Sequence, residues 1–334
     1  MLVFSLNKEK AMVQKNKKWI DWIWEAWCVI SVIGIWPRFI EPNLLSITKI
    51  RLPVPNLPNE LEGLKILQFT DLHWHSQISR KFLNKLTFKI NRLNPDLIVF
   101  TGDFLCRGKL ENPEGLKDFL CSLKAREGCF AVFGNHDYEK FITVSPNGDY
   151  DVDRDSSVSM MRRGFKRLFS KVRLSKKITD CARAVGFHND LIQLLKTTPF
   201  RLLHNETACI SLRGSFLNLS GVGEYIAGKL DLENTFKTYD HSYPGVILMH
   251  NPDAIPRLEN YPGSIILSGH THGGQVNLPF LWKKLTYMEY PEFKSGLNKC
   301  GSKWSYVNRG VGSLMRFRWF AMPELSLITL YGEK

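Results

Sequence analysis

The chain has 334 residues, of which 44% are hydrophobic and 23% charged, and this composition excludes disorder, collagen and coiled coil as its main architecture. Its 45 Lys and Arg residues outnumber 32 Asp and Glu, and the formal charge of +13 favours polyanionic partners such as nucleic acid, anionic lipid or phosphorylated substrates. The seven cysteines are scattered without CxxC pairs, which argues against a disulfide framework or structural zinc and indicates a reducing compartment.

The first forty residues contain five lysines followed by an apolar stretch with five tryptophans. Asp21 and Glu25 interrupt this stretch, so the uncharged run, 26–36, has 11 residues, whereas a spanning helix needs about 20. Apolar side chains recur at helical spacing, with the two acids on the opposite side: Trp19, Trp22, Ile23, Ala26, Trp27 and Ile30. We therefore expect residues 1–50 to form a membrane-associating segment with an amphipathic helix in the headgroup region; the alternative is a helix packed on the protein core.

Short apolar runs and longer amphipathic stretches then alternate, which predicts an α/β layered domain over residues 51–334. The predicted strands are Ile66–Thr70, Leu97–Thr101, Phe130–Phe133, Phe216–Val222, Val246–Met249, Ile265–Ser268 and Leu325–Leu330. The predicted helices are Arg80–Leu93, Pro113–Ala125 and Pro252–Leu258.

Polar motifs follow five of the predicted strands, and because ligand sites of α/β sheets lie beyond the strand carboxyl ends, we expect these motifs to converge. The motifs are Asp71-Leu72-His73, Gly102-Asp103, Gly134-Asn135-His136-Asp137, Met249-His250-Asn251 and the run from Gly269 to Gln275. Carboxylate, imidazole and amide groups together suit divalent transition metals, and one carboxylate can bridge two ions. The sequence therefore predicts a dinuclear metal site.

The order of these motifs resembles the calcineurin-like metallophosphoesterase superfamily, from about Lys65 to the C-terminus. The resemblance implies a layered metallophosphoesterase sandwich that hydrolyses phosphate esters or anhydrides with two divalent ions, for which manganese is expected. It also implies two sets of ligands bridged by Asp103. The first set is Asp71, His73 and His272, and the second is Asn135, His250 and His270.

Two further residues are candidates for catalysis. The resemblance implies that His136 hydrogen-bonds or protonates the leaving oxygen, with bracing of its loop as the alternative. Arg107 is a candidate phosphate-binding residue because its planar guanidinium can contact two oxygens, although an exposed turn arginine is nearly as well supported. Cys106 stands where protein phosphatases of the superfamily have an Asp that orients the catalytic His, which argues against a protein phosphatase.

Residues 139–186 form an insertion relative to a compact phosphoesterase core. An acidic turn at 149–155 precedes a basic segment, 161–177, in which apolar residues recur at helical spacing: Met161, Phe165, Leu168, Phe169 and Val172. We expect a basic amphipathic helix that lies on a membrane surface or covers the acyl chains of a substrate, the alternative being a solvated helix packed on the core.

This combination is similar to the calcineurin-like UDP-2,3-diacylglucosamine pyrophosphatases of lipid A synthesis. The resemblance implies a lipid-linked nucleotide-sugar substrate that is split to UMP and 2,3-diacylglucosamine 1-phosphate. Together with the two amphipathic segments, the resemblance predicts contact with an anionic membrane surface, with the protein peripheral to or anchored at the cytoplasmic face of the inner membrane, and no stable nucleic-acid partner. The alternatives are a phosphodiesterase acting on nucleotides or nucleic acid, which the +13 charge favours, and a non-catalytic scaffold with this fold.

Overall fold

The computed structural model describes residues 17–154, 160–170 and 172–333, and two six-stranded sheets form its centre. The strands of the first sheet are, in spatial order, β1 (Ser46–Val54), β14 (Glu324–Gly332), β2 (Lys65–Phe69), β3 (Leu97–Thr101), β4 (Gly128–Val132) and β7 (Phe200–Leu202). Those of the second are β12 (Gly296–Cys300), β13 (Lys303–Val307), β11 (Ile265–Ser268), β10 (Gly245–Leu248), β9 (Ser215–Gly221) and β8 (Glu206–Leu212). The predicted α/β layered sandwich is confirmed.

Four consecutive strands in each sheet are parallel: β2, β3, β4 and β7 in the first, and β9, β10, β11 and β13 in the second. Strand β3 shows how the layers are held together. Leu97 and Val99 pack between the sheets, whereas Ile98 and Phe100 point to the helical layer on the other face. Because both faces of such a strand are buried, its sequence is a continuous apolar run, and burial of these side chains supplies the main stabilisation.

Helices cover the outer faces and connect the strands. They are α2 (Arg80–Arg92), α3 (Pro113–Cys121), α4 (Met160–Phe169), α5 (Asp180–Arg183), α6 (Asn189–Leu195), α7 (Leu232–Phe236) and α8 (Trp282–Leu285). The predicted helix at Pro252–Leu258 is a 3₁₀ helix. The start of α3 shows why it forms there: the Asn112 side chain accepts a hydrogen bond from the backbone N–H of Gly115, and Pro113 occupies the first turn.

Strand β1 was not predicted from the sequence, and the expected domain boundary at residue 50 falls inside it. β1 lies at the edge of the first sheet and pairs in parallel with β14, the last strand of the chain. Its side chains alternate between partly buried and exposed over most of its length. The first sheet therefore begins at Ser46, before the Pro-rich segment that follows.

A single helix, α1, runs over Lys17–Asn43 and is long and apolar enough to cross a membrane. The uncharged run of 11 residues, 26–36, lies inside this helix of 27 residues, so the expectation that Asp21 and Glu25 leave the segment too short to span a membrane is corrected. Residues Ser31–Ile40 form wider π-helical turns around Pro37, which has no N–H to donate. Only 6% of the most apolar 18-residue stretch of α1 is buried, so packing on the protein core does not account for the apolar character of this helix.

The C-terminal end of α1 is hydrogen-bonded to the loop that precedes β14. The Glu41 carboxylate accepts bonds from the Trp36 indole at 2.9 Å and from the Phe320 backbone at 3.0 Å. The Arg318 N–H donates to the carbonyl oxygen of Pro37 at 2.8 Å. Glu41 is itself buried, so this end of the helix has a fixed position against the domain.

The insertion contains a hairpin, β5 (Ile142–Val144) with β6 (Tyr150–Val152), and then α4. The helix predicted in the basic segment is shorter than the segment: helical structure ends at Phe169, and residues 172–177 are not helical. Asp155 of the acidic turn, Lys171 of the basic segment and the side chains of Met161 and Phe165 lie outside the described residues. Phe169 is 83% exposed. Arg163 and Arg167 instead line a cavity, and the Arg163 guanidinium is paired there with the Asp153 carboxylate at 2.9 Å.

Candidate metal centre

The predicted ligands lie together at the carboxyl ends of β2, β3, β4, β10 and β11. Five of them have a positive φ, between 47° and 72°, a backbone conformation that is uncommon outside glycine. These residues are Asp71, His73, Asp103, His270 and His272. Such strained residues cluster at functional sites, where the surrounding structure holds them in place.

Asp71, His73 and His272 form the first group of side chains. The Nε2 atoms of His73 and His272 are 3.0 Å apart, and His272 Nε2 is 3.4 Å from Asp71 Oδ1. Asp71 and His73 are almost completely buried. The three potential ligand atoms therefore lie close enough to one another to bind a single metal ion.

Asp103, His250 and His270 form the second group. His250 Nε2 is 3.2 Å from Asp103 Oδ2 and also 3.2 Å from His270 Nδ1. Asp103 lies close to the first group as well, since its Oδ2 is 3.7 Å from His73 Nε2. A carboxylate placed between two clusters of imidazoles has the position that a bridging ligand requires.

Unpaired buried atoms indicate that these residues fit metal ions. Asn135 Oδ1 and Asp71 Oδ1 are buried and have no hydrogen-bond partner among the described residues, although buried polar atoms are nearly always bonded. The Asn135 amide donates from Nδ2 to the carbonyl oxygen of Ile142 at 2.7 Å, which turns the oxygen away from that contact. Divalent ions at the two groups would supply the missing partners and would polarise phosphoryl oxygens of a substrate.

The charges of the buried groups also suit metal binding. Burial and the neighbouring His250 lower the pKa of His270 to about 3, and burial lowers that of His272 as well, so both imidazoles are neutral. Burial alone would raise the pKa of Asp103, but His250 and His136 outweigh it and hold this pKa well below its ordinary value. The Asp103 carboxylate in turn raises the pKa of His250 against the effect of burial, so His250 must release a proton to become a ligand.

Asp137 braces the loops that carry the ligands, and its role was not predicted. Its carboxylate accepts hydrogen bonds from the backbone N–H groups of Asp103, Leu105 and Gly134, at 2.8 to 2.9 Å. A Cβ atom at Gly134 would come within 2.2 Å of Asp103 Oδ1, so only glycine permits this close approach. The Gly-Asn-His-Asp motif contained the signal, since its last residue is a carboxylate beside the ligands.

His136 is buried and lines the cavity next to the metal ligands. Its Nδ1 accepts a hydrogen bond from the Arg107 backbone at 2.9 Å, so in the neutral ring the proton is on Nε2. Nε2 is 3.9 Å from Asp103 Oδ2. The imidazole can therefore donate a proton from the edge that faces the candidate centre.

The cavity has a volume of about 220 Å³ and extends from the metal ligands to the insertion. Its guanidinium groups come from Arg163 and Arg167 of α4, which were predicted only as part of a basic surface. Arg107, the predicted phosphate-binding residue, does not line this cavity in the described structure; it contributes the backbone N–H that orients His136. Two arginines one helical turn apart can contact phosphate oxygens together.

Arg318 is a second buried residue that sequence analysis missed. Its guanidinium lies 3.2 Å from His272 Nδ1 and donates to the carbonyl oxygens of Arg309 at 2.9 Å and Ala321 at 2.8 Å. Its backbone is bonded to α1 through Pro37. One residue therefore connects the end of the N-terminal helix, through its backbone, with a candidate metal ligand, through its side chain.

Residues 64–274 match the family model described as calcineurin-like phosphoesterase. The chain therefore belongs to the calcineurin-like phosphoesterases, and it is a hydrolase of the metallophosphoesterase class. It is 38% identical over 309 residues to UDP-2,3-diacylglucosamine pyrophosphatase LpxG of Chlamydia trachomatis, covering 90% of this chain and 93% of that protein. It is also 37% identical to LpxG of Chlamydia muridarum, over 90% of this chain and 93% of that protein. Phosphodiesterase YaeI of Escherichia coli is 26% identical, over 88% and 91% of the two chains. The alternative of a non-catalytic scaffold is thus wrong.

Proposed function

We propose that the protein hydrolyses the pyrophosphate of UDP-2,3-diacylglucosamine to UMP and 2,3-diacylglucosamine 1-phosphate, a step of lipid A synthesis. The observation that carries this proposal is the 38% identity with a pyrophosphatase of that specificity across 90% of the chain. The coarser activity, metal-dependent phosphoester hydrolysis, follows from the family itself.

Asp71, His73 and His272 would hold one divalent ion, Asn135, His250 and His270 would hold the other, and Asp103, which lies close to both groups, would be shared between them. Manganese is the proposed metal, because imidazole and carboxylate ligands both accept it. Arg163 and Arg167 bind oxygens of the pyrophosphate in the cavity. His136 donates its Nε2 proton to the oxygen that leaves phosphorus as the bond to it breaks.

The test is turnover of purified full-length protein in detergent with added Mn²⁺, on a panel of substrates. UDP-2,3-diacylglucosamine, UDP-N-acetylglucosamine, bis(p-nitrophenyl) phosphate and p-nitrophenyl phosphate separate the candidate specificities. We expect the acylated nucleotide sugar to have the highest kcat/KM. In H₂¹⁸O, the product that carries the label identifies the phosphorus attacked. Turnover of the aryl diester without turnover of the acylated substrate would contradict the proposal.

A nucleotide phosphodiesterase is the second candidate, supported by the similarity to YaeI and by the charge of +13. Higher kcat/KM for cyclic or linear nucleotides than for the acylated substrate would favour it. For the pyrophosphatase we expect no stable complex with nucleic acid. Binding to DNA or RNA with an affinity that falls steeply with salt would therefore also favour the phosphodiesterase.

We further propose that the protein acts at the cytoplasmic face of the inner membrane, attached through α1. Helix α1 is long and apolar enough for attachment, and the described cysteines are all free thiols, as a reducing compartment allows. A fluorescent protein fused to the C-terminus in a Gram-negative host should fluoresce, because it matures only in the cytoplasm. An active alkaline phosphatase fusion at the same position would place the domain on the other side.

A further inference from the structure

A second, larger cavity adjoins the metal-site cavity and takes no part in the mechanism described above. It has a volume of about 660 Å³, within the range of about 300 to 1,000 Å³ that small-molecule sites occupy. Leu314 and Met315 line both cavities, so the two spaces are neighbours across one short segment of chain. We refer to the second space as the lateral cleft.

The lateral cleft is lined by apolar side chains from three separated segments. They are Leu72, Ile78, Phe82, Val311, Leu314 and Met315. Arg38 and Arg316 add positive charge, and no carboxylate is among the described residues that line the cleft. A space with apolar side chains and cationic groups but no acid suits a ligand that has hydrocarbon chains and carries negative charge.

The position of the lateral cleft connects the candidate centre with the apolar helix. Leu72, a buried residue that lines the cleft, lies between the predicted ligands Asp71 and His73 in the chain. Arg38, Pro42 and Asn43, at the C-terminal end of α1, line the cleft as well. If α1 is attached to a bilayer, a chain in the cleft extends from the membrane side of the domain towards the metal ligands.

Exposed apolar residues follow the same segments. Phe39 of α1 is 62% exposed, and Phe320, whose backbone is bonded to Glu41, is 60% exposed with a positive φ of 55°. A phenylalanine in this backbone conformation is strained, and strain of this kind is retained where function requires it. These side chains continue the apolar character of the cleft outside it.

We propose that the lateral cleft binds the acyl chains of the lipid-linked substrate while its pyrophosphate lies among the metal ligands. The proposal rests on the proposed function and specifies where that substrate is recognised. It is an alternative to the expectation that α4 covers the chains: the described side chains of α4 at the metal-site cavity include two arginines, and Phe169 points to solvent.

The test fills the lateral cleft with an indole and compares two substrates. Ile78→Trp places bulk in the cleft, and Gln77→Trp does so from an exposed position whose side chain is not part of the core. Phe88→Trp is the matched control, because Phe88 lies on the nearby helix α2, is 63% exposed and does not line the cleft. The substrates are UDP-2,3-diacylglucosamine in detergent micelles and bis(p-nitrophenyl) phosphate.

We expect kcat/KM for the acylated substrate to fall about tenfold or more in the two cleft variants, a loss typical of a disturbed apolar pocket. Turnover of the aryl diester should stay unchanged, which also shows that the variants are folded. An equal loss of kcat/KM on both substrates, or an unchanged kcat/KM for the acylated substrate, would overturn the proposal that the cleft binds the acyl chains. Either result would leave the proposed function intact. If the unaltered protein does not hydrolyse the acylated substrate, the proposed function fails and the cleft proposal fails with it.

Discussion

Asp103 has contacts with both groups of candidate ligands, so its replacement tests the dinuclear arrangement most directly. Asp103→Asn keeps an oxygen that can accept the hydrogen bond from the backbone N–H of His136, which measures 2.9 Å. It removes the negative charge between the two ion positions, so the protein should bind metal more weakly and turnover should fall to background. Metal content by mass spectrometry and turnover with excess Mn²⁺ measure the two effects.

The matched control is Asp118→Asn, on the exposed surface of α3, which should retain wild-type metal content and activity. Near-wild-type activity of Asp103→Asn in excess manganese would contradict the two-metal assignment.

His136 should separate metal binding from chemistry, since in the proposed reaction it contacts the leaving oxygen and no metal. His136→Gln should lower kcat by about a hundredfold or more, the usual contribution of a general acid. Bound metal should be the same as in the unaltered protein. A parallel loss of metal and activity would instead identify His136 as a ligand or as a structural residue.

At the residue scale, the ligand cluster was predictable from short motifs of neighbouring residues. Each motif directly follows a strand, and parallel strands bring their carboxyl ends together. Residues that act through distant contacts were not predictable in this way. Glu41 accepts a hydrogen bond from Phe320, 279 positions away, and Arg318 reaches His272 from a loop with no recognisable motif. Only Asp137, which adjoins the predicted His136, had a local signal.

At the element scale, α4 has two different faces, and each can be tested. Arg167 faces the metal-site cavity, whereas Lys166 is exposed. Arg167→Met keeps the aliphatic part of the side chain and removes the charge, so it should raise KM for a substrate with a pyrophosphate by about tenfold. Lys166→Met should change KM little. A similar KM for both variants would indicate that α4 does not bind the substrate.

The turn between β7 and β8 should make the protein sensitive to mild acid. His204 packs edge-on against Phe187, and burial, with Lys229 nearby, lowers its pKa from 6.5 to about 4. The unfolded chain therefore takes up a proton on His204 below pH 6.5, whereas the folded protein does so only near pH 4. Stability from this group is complete above pH 6.5 and decreases as the pH falls through that window, by at most about 3 kcal/mol.

His204→Gln, which cannot be protonated, should show a smaller loss of the free energy of unfolding between pH 7.5 and pH 5 in urea titrations. His241→Gln, at an exposed position, is the control and should follow the unaltered protein. An identical pH dependence of all three proteins would show that His204 does not determine the acid sensitivity.

Elements differ in how far the sequence predicts them, and the reason is burial. β3 is a continuous apolar run because both of its faces are covered, and it was found within its predicted bounds. β1 lies at a sheet edge, has alternating exposure and pairs with a strand at the other end of the chain, so no local pattern identifies it. The spacing in α4 predicted a helix, but spacing alone cannot show that the covered side faces the cavity beside the metal ligands.

At the scale of the whole molecule, attachment to a membrane should depend on α1 without depending on it alone. Deleting residues 1–40 removes most of the apolar helix, yet Glu41 remains and still accepts the N–H of Phe320. Exposed aromatic side chains remain in the domain, with Phe169 at 83%, Phe280 at 87% and Phe320 at 60% exposure. Most of the formal charge of +13 also remains, and it attracts anionic lipid.

We therefore expect the shortened chain to bind vesicles of phosphatidylglycerol and phosphatidylcholine more weakly than the full chain, but measurably, in a sedimentation assay. Two weak interfacial elements on one molecule bind more firmly together than either does alone. Binding of the shortened chain should fall as salt is raised and should be lost on neutral vesicles, since its remaining attraction is largely electrostatic. Undiminished binding would show that α1 is not the attachment site. Complete loss on anionic vesicles would show that the domain surface makes no contact with lipid, and that α1 alone holds the enzyme at the membrane.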